Sequence, residues 1–385
     1  MSKAPELTEF LRVVVDCKAS DGFATVESVP TYKVDGELIS VGDTPFDSDG
    51  VLALIRASMS PEQFSQYLES KDANYAIEHP ELGRFRASAY VQRDQPGLVV
   101  RRIHHDIPNF EVLGLPPQLK ELSLLKRGLV MIVGATGAGK STTLASMVDY
   151  RNRNRRDHII TVEDPIEFVH QHRQSIVSQR EVGVDTDSFE IALKSALRQA
   201  PNVIMIGEVR DAETMRVALS YAETGHLCLC TLHAAGTKQA LERIQSFFPQ
   251  EQVRRLWMDL SINLRAVVAQ QLLPRRDGDG RTVVVELMLS TLLMQEHIKE
   301  GDVDKVNQLI SRASEYGMQT FDQALIAAFK QGLITAEQAL RAADSENDVR
   351  LAIKLDSTRS GRDSKRDLNV EAPDGRYVDK WWQDV

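Results

Sequence analysis

Cysteine is nearly absent from this 385-residue chain: only Cys17, Cys228 and Cys230 are present, with no C-x-x-C pair among them. A structural zinc centre needs four ligands at suitable spacing, so none is expected. Cys228 and Cys230 alternate within an apolar, strand-like run and read as core residues of a cytosolic protein. Long apolar runs are missing too. No stretch approaches the roughly 20 residues of a membrane-spanning helix. The N-terminus offers only Val13-Val14-Val15 between Arg12 and Asp16, so no signal peptide is expected. Nor is there an excess of positive charge: 46 Lys and Arg stand against 55 Asp and Glu, a net charge of −9. That balance speaks against general nucleic-acid binding, although a local basic channel would survive it. What is there, 42% hydrophobic and 26% charged residues, is the composition of a soluble globular protein. The length allows two domains and a tail.

The most informative stretch is Gly134-Ala135-Thr136-Gly137-Ala138-Gly139-Lys140-Ser141-Thr142, which matches the P-loop pattern G-x-x-x-x-G-K-[ST]. An apolar run, Leu129 to Val133, precedes it as a buried strand, and an amphipathic helix from Lys140 to about Tyr150 follows. Glycines let the backbone curl so that its N–H groups face phosphate oxygens, and the helix N-terminus adds partial positive charge at the same spot. Lys140 would reach the β- and γ-phosphates of ATP, and the Ser141 hydroxyl would ligate Mg²⁺.

Ahead of this motif the pattern is that of a small α+β domain. Leu7, Phe10, Leu11 and Val14 share one helical face. Tyr32 to Ile39 reads as a hairpin turning at Asp35-Gly36. Val51 to Met59 is helical, and Ser60, Pro61 and Gln63 start a further helix with a capping box, its apolar face carrying Phe64, Tyr67 and Leu68. Strands are expected near Asn74–Glu78, Arg84–Gln92 and Gly97–Ile103. Arg84, Arg86, Arg101 and Arg102 project from them, either into solvent or toward the nucleotide of a neighbouring subunit, a role that suits the bidentate guanidinium fork. The weakly periodic segment 106–119, with Pro108, Pro116 and Pro117, reads as an interdomain linker.

Behind the motif, three further apolar strands each deliver chemistry. Ile159 to Val162 leads into Glu163-Asp164, an ordinary loop start or a carboxylate placed to deprotonate the attacking water. Val203 to Ile206 leads into Gly207-Glu208, the form of a Walker B element whose acid holds Mg²⁺. Leu227 to Leu232 ends in His233, either structural or a γ-phosphate sensor. The order of these pieces makes the set far more specific than any one of them. Arg151 to Arg156 reads as a solvated helix end, with a nucleic-acid patch as the alternative; no aromatics are interleaved for base stacking. Leu264–Leu273 and Thr282–Met288 look like strands, and short helices follow to about Ala343. From Asp344 the chain is polar and is expected to be disordered. Its Trp381-Trp382 pair would dock on a partner or pack back locally.

Taken together, these motifs resemble the secretion-superfamily ATPases, and within them the type IV pilus retraction motors of the PilT/PilU family. The boxes that carry the likeness are Gly134–Thr142, the acidic box Ile160–Phe168, the Walker B run Ile206–Asp211, and the histidine box Thr224-Gly225-His226 through Thr231-Leu232-His233. Leu264–Val268 and Gly317–Gln323 add to it. The resemblance implies an α/β chain: a PAS-like α+β N-terminal domain (1–105), the linker (106–119), a RecA-like P-loop ATPase domain with C-terminal helices (120–343) and a disordered polar tail (344–385). It also implies a cytoplasmic homohexamer, peripheral at the inner membrane, that meets an inner-membrane pilus platform protein and binds no nucleic acid directly. In such a ring Arg86 and Arg101 match the N-terminal-domain arginines that complete a neighbour's site, beside the catalytic Glu163, Glu208 and His233. The four-cysteine insert of assembly motors is missing, which favours the retraction branch. The retraction motors' Ala-Ile-Arg-Asn-Leu-Ile-Arg-Glu box appears only as Leu292–Glu300, without the central Arg-Asn pair. That change and the extended tail resemble the accessory branch, which acts beside a main retraction ATPase. Two alternatives stay open: an ATP-binding partner that stabilises a motor complex without its own hydrolysis, and a RecA-type motor on DNA.

Overall fold

Strict alternation in the first hundred residues builds an antiparallel sheet with one apolar face. The computed structural model describes residues 6–360 apart from positions 35, 104, 105 and 279. The chain divides into two units, one made of the residues up to 107 with 162–171 and 179–195, the other of 108–161, 172–178 and the residues from 196 onward.

In the first unit the strands are β1 (Asp21–Thr25), β2 (Thr31–Val34), β3 (Glu37–Ser40), β4 (Asp72–His79), β5 (Gly83–Gln92) and β6 (Gln95–Arg102). They form a six-stranded sheet in the order β3-β2-β1-β6-β5-β4, with all five neighbouring pairs antiparallel. Phe85, Ala87 and Ala89 of β5 meet Phe10, Leu11 and Val14 of helix Leu7–Asp16 and Val51, Leu54 and Ile55 of helix Ser48–Ser58 in one core. Helix Pro61–Ser70 starts with the expected capping box, but it buries Tyr67 and leaves Leu68 in solvent. Arg86 and Arg101 are direct cross-strand partners, on the face opposite Phe85; Arg102 pairs with Phe85 and so lies on the other face from them.

The second sheet contains β7 (Gly128–Val133), β8 (His158–Glu163), β9 (Ile176–Glu181), β10 (Val203–Ile206), β11 (Leu227–Leu232), β12 (Leu264–Pro274) and β13 (Arg281–Leu289), in the order β13-β12-β7-β11-β10-β8-β9. β7, β10 and β11 are buried along their whole length, as parallel strands covered on both faces must be. β11 and β12 flank β7 in parallel, and β13 closes that edge antiparallel. The strand ends that carry the motifs are therefore set side by side by register rather than by loop conformation.

Three expectations need correction. Segment 106–119 is no linker: Phe110, Leu115 and Leu119 join the core of the second unit, and short helices span Phe110–Leu113 and Gln118–Ser123. Its prolines fix turns between buried anchors instead of releasing the chain. Nor is the segment from 344 disordered throughout. Helix Glu346–Ser360 buries Val349 and Ile353, one turn apart, while Asp322 accepts hydrogen bonds from the backbone N–H groups of Asp344 (2.8 Å) and Ser345 (3.0 Å). Val349, Leu351, Ile353 and Leu355 stand two residues apart, a spacing that does not read as one helix face, and Leu351 and Leu355 are exposed. Trp381-Trp382 lies outside the described residues. Finally, the boundary at 120 separates the units incompletely, because 162–171 and 179–195 group with the first.

Arg151 is also not solvated. It is 4% exposed, pairs with Asp157 at 2.7 Å and donates to the carbonyls of Ser123 (2.9 Å) and Leu125 (2.6 Å). Removing a buried guanidinium strands a carboxylate and two carbonyls, so Arg151→Ala should cost about 3 kcal/mol or more. Arg153, whose pair with Asp149 is solvent-exposed on the arginine side, should cost less than about 1 kcal/mol on the same change. Urea unfolding midpoints of the two variants check the contrast.

Candidate active site

β7 ends at Val133 and the glycine-rich turn begins at once. Gly134 has no room for a side chain: a Cβ there would stand 2.7 Å from the Gln270 carbonyl oxygen and 2.9 Å from the Ala138 Cβ. Gly139 holds a left-handed backbone (φ +85°) and is the N-cap of helix Lys140–Asn154. The first-turn amides of this helix have no partner within it, and its dipole favours an anion there. At Gly137, also left-handed, a Cβ would meet nothing within 4 Å. Left-handed glycines of this kind let successive backbone N–H groups turn toward an anion, as a phosphate chain requires.

Lys140 is only 8% exposed, and its ammonium donates to the carbonyls of Gly134 (3.0 Å) and Ala135 (2.9 Å). It also lies 3.4 Å from Nδ1 of His233. The other ring nitrogen, Nε2, is 3.2 Å from Oε1 of Glu208, whose Oε2 accepts from Nε of Arg210 at 2.8 Å. With Nδ1 facing an ammonium donor and Nε2 facing a carboxylate, the neutral imidazole carries its proton on Nε2. Burial pushes the His233 pKa below its ordinary value, the Lys140 charge adds to this, and the Glu208 carboxylate opposes it. Burial likewise lowers the Lys140 pKa against the pull of Glu208. Three strand ends, β7, β10 and β11, therefore bring Lys140, Glu208 and His233 into one chain of contacts. The Thr231 hydroxyl donates to the Gly207 carbonyl (2.5 Å), and the Val209 N–H donates to the Thr231 carbonyl (2.9 Å), tying the Glu208 loop to β11.

Ser141 is exposed on the first turn of the P-loop helix, and Glu208 presents carboxylate oxygen in the same unit. Hydroxyl and carboxylate oxygens are the hard donors that Mg²⁺ takes, so the residues present fit that ion.

The other site candidates belong to the first unit. Glu163 ends β8 buried, and its Oε1 accepts from Nε2 of Gln179 at 3.1 Å. The same Gln179 amide donates to the Phe168 carbonyl (2.9 Å) and accepts from the His170 N–H (2.7 Å). Arg101 pairs with Asp21 at 2.8 Å, while Arg86 has no ion-pair partner among the described residues. Arg84 is committed to Glu78 (3.0 Å) and Glu181 (3.5 Å).

Sequence reasoning missed Gln270. It is 1% exposed on β12, and its amide donates to the Ala138 carbonyl at 2.6 Å. A Cβ on Gly139 would come within 3.1 Å of that same Nε2. Gln270 is thus the prop against which the phosphate-binding turn is folded. The signal was weak: Gln270 is one of three polar residues, with Arg265 and Gln271, in the run Leu264 to Leu273. Gln179 and Arg210 carried no signal, because both act through loop and strand placement.

Comparison with known proteins shows the family. The family model for the type II/IV secretion system protein matches residues 84–341. The type IV pilus ATPase PilU of Pseudomonas aeruginosa is 53% identical over 352 residues, covering 91% of this chain and 92% of that protein. PilT of the same organism, a type IV pilus retraction ATPase, is 38% identical over 320 residues, 83% of this chain and 93% of that one. The crystal structure of the pilus retraction motor PilT with bound ADP superimposes with a TM-score of 0.84 at 38% identity, covering 89% of this chain and 98% of that chain. With the family model spanning well over half its length, the chain belongs to the type II/IV secretion system ATPases, in the PilT/PilU group of pilus retraction ATPases.

Proposed function

We propose that the chain is a Mg²⁺-dependent hexameric ATPase that powers or assists type IV pilus retraction, as an accessory to a main retraction motor. The observation that carries this reading is the contact chain Lys140–His233–Glu208 at the mouth of a glycine turn, in a chain with PilU-like and PilT-like relatives. Lys140 and the backbone of Gly134–Thr142 bind the phosphates of ATP. Ser141 and Glu208 hold the metal, which neutralises charge developing on the phosphates. Glu163 takes the proton of the attacking water, which requires its carboxylate to exchange the Gln179 amide for that water. His233 senses the γ-phosphate by trading the Lys140 contact for it. Arg86 and Arg101 reach a neighbour's nucleotide from a PAS-like N-terminal domain, Arg101 by leaving Asp21. The ring works at the cytoplasmic face of the inner membrane against a platform protein.

A second reading is a structural partner of the main motor. Its support is the helix Leu292–Glu300, which lacks the family's Arg-Asn pair and presents Leu292 82% exposed. Twitching assays with Glu208→Ala, with and without the main motor, separate the two. Full retraction by that variant under every load favours the partner reading.

Lys140→Ala should abolish turnover while leaving circular dichroism unchanged, since its contacts are to its own loop and to His233; wild-type activity in this variant refutes the assignment. His233 also sets a pH limit. Its lowered pKa keeps it neutral at pH 7, and a proton added on Nδ1 as the pH falls would face the Lys140 ammonium. Turnover should therefore hold above about pH 6.5 and fall only below it. An acid limb that is identical in His233→Asn would show that another group sets it.

A further inference from the structure

Glu286 is a buried acid that the proposed chemistry does not use. It is 3% exposed on β13, and its Oε1 accepts the backbone N–H of Thr237 at 2.7 Å. Thr237 is the first residue of helix Thr237–Ser246 and is itself fully buried. Only Ala234, Ala235 and Gly236 lie between that anchored amide and His233. A carboxylate at a helix N-terminus satisfies an orphan donor and meets the favourable end of the dipole. Here no residue of the helix's own approach supplies the cap: Gly236 is the N-cap and has no side chain.

Register shows what this anchor is fixed to. Glu286 pairs with Ala269 of β12, and Ala269 pairs with Val133 of β7, the residue immediately before the phosphate-binding turn. The neighbouring residue of β12 is Gln270, which holds the Ala138 carbonyl. One row across three strands thus secures the glycine turn at one point and the segment behind His233 at the other. Burial pushes the Glu286 pKa up, the Asp344 and Asp322 carboxylates add to it, and the hydrogen bonding from Thr237 opposes it. Keeping such a group where a neutral cap would serve has a cost that a purely local cap does not explain.

We infer that Glu286 is a positioning residue for His233, holding the Thr237 amide so that the imidazole stays between Lys140 and Glu208. This rests on the ATPase reading for its catalytic consequence, but not for its geometry. The test uses the full-length chain. Glu286→Ala should lower kcat for ATP about tenfold while KM changes less than about twofold. Glu286→Gln, which keeps a carbonyl acceptor, should recover most of the loss. Thr237→Pro removes the same N–H from the other side, at a position where proline suits a helix start, and should reproduce Glu286→Ala. In a His233→Ala background, Glu286→Ala should add no further loss in kcat, because both act through one group. Independently of turnover, crystal structures of Glu286→Ala and Thr237→Pro should show the His233 ring moved from its place between Lys140 and Glu208. The inference is overturned if the losses multiply, or if the variants only lower the folded fraction while kcat per folded subunit and the position of the His233 ring stay put. If the wild-type chain hydrolyses no ATP, the ATPase reading falls and the position of the ring alone decides for or against Glu286.

Discussion

The site depends on how a buried ammonium is kept charged. Lys140 has lost most of its water, and desolvation of a cation is costly unless dipoles and counter-charge replace it. Here two loop carbonyls supply the dipoles, a neutral imidazole accepts from the third direction, and the Glu208 carboxylate stands one residue further out. A triphosphate offers the same ammonium a stronger partner. The carbonyl of Ala135 can turn to water when it is relinquished, since the turn is exposed at Ala135, Thr136 and Gly137. The charge therefore waits in a place where binding exchanges neutral partners for anionic ones.

That arrangement is possible because the sheet, not the loops, sets the spacing. β7, β10 and β11 are neighbours in fixed register, and each ends in the residue or turn that the chemistry needs. The loops contribute only the last few ångströms, and each is braced: the glycine turn by Gln270, the Glu208 loop by Thr231, the segment after His233 by Glu286. The braces come from β11, β12 and β13, so the antiparallel edge of the sheet has a task beyond covering the core.

Much of this was legible in the sequence. Gly134–Thr142, Glu208 and His233 stood at the ends of apolar runs, and such runs can only be buried strands whose tips carry the polar residues. The capping box at Ser60 and the alternation of β5 were equally plain, because local physics determines them. What could not be read was partnership across the chain. Arg151 looked like one of several solvated arginines, and its burial depends on carbonyls of Ser123 and Leu125 and on Asp157. Segment 106–119 looked like a linker because three prolines mask the spacing of Phe110, Leu115 and Leu119. Gln179 and Gln270 are ordinary polar residues until folding sets them against Glu163 and Ala138.

The burial of Arg151 bears on how the helix behind the glycine turn can move. This helix runs 15 residues from Lys140, about 22 Å at the usual rise. At its far end the guanidinium is clamped by a carboxylate and by carbonyls from the segment that leads into β7. A rod held at its tail and joined to its own strand by a short turn cannot slide lengthwise. Strain arising at the phosphate end is absorbed by torsion of the glycine turn, or it is passed through the rod to the start of β7. The strand, turn and helix then form one closed loop of chain that joins the phosphate end to the start of β7.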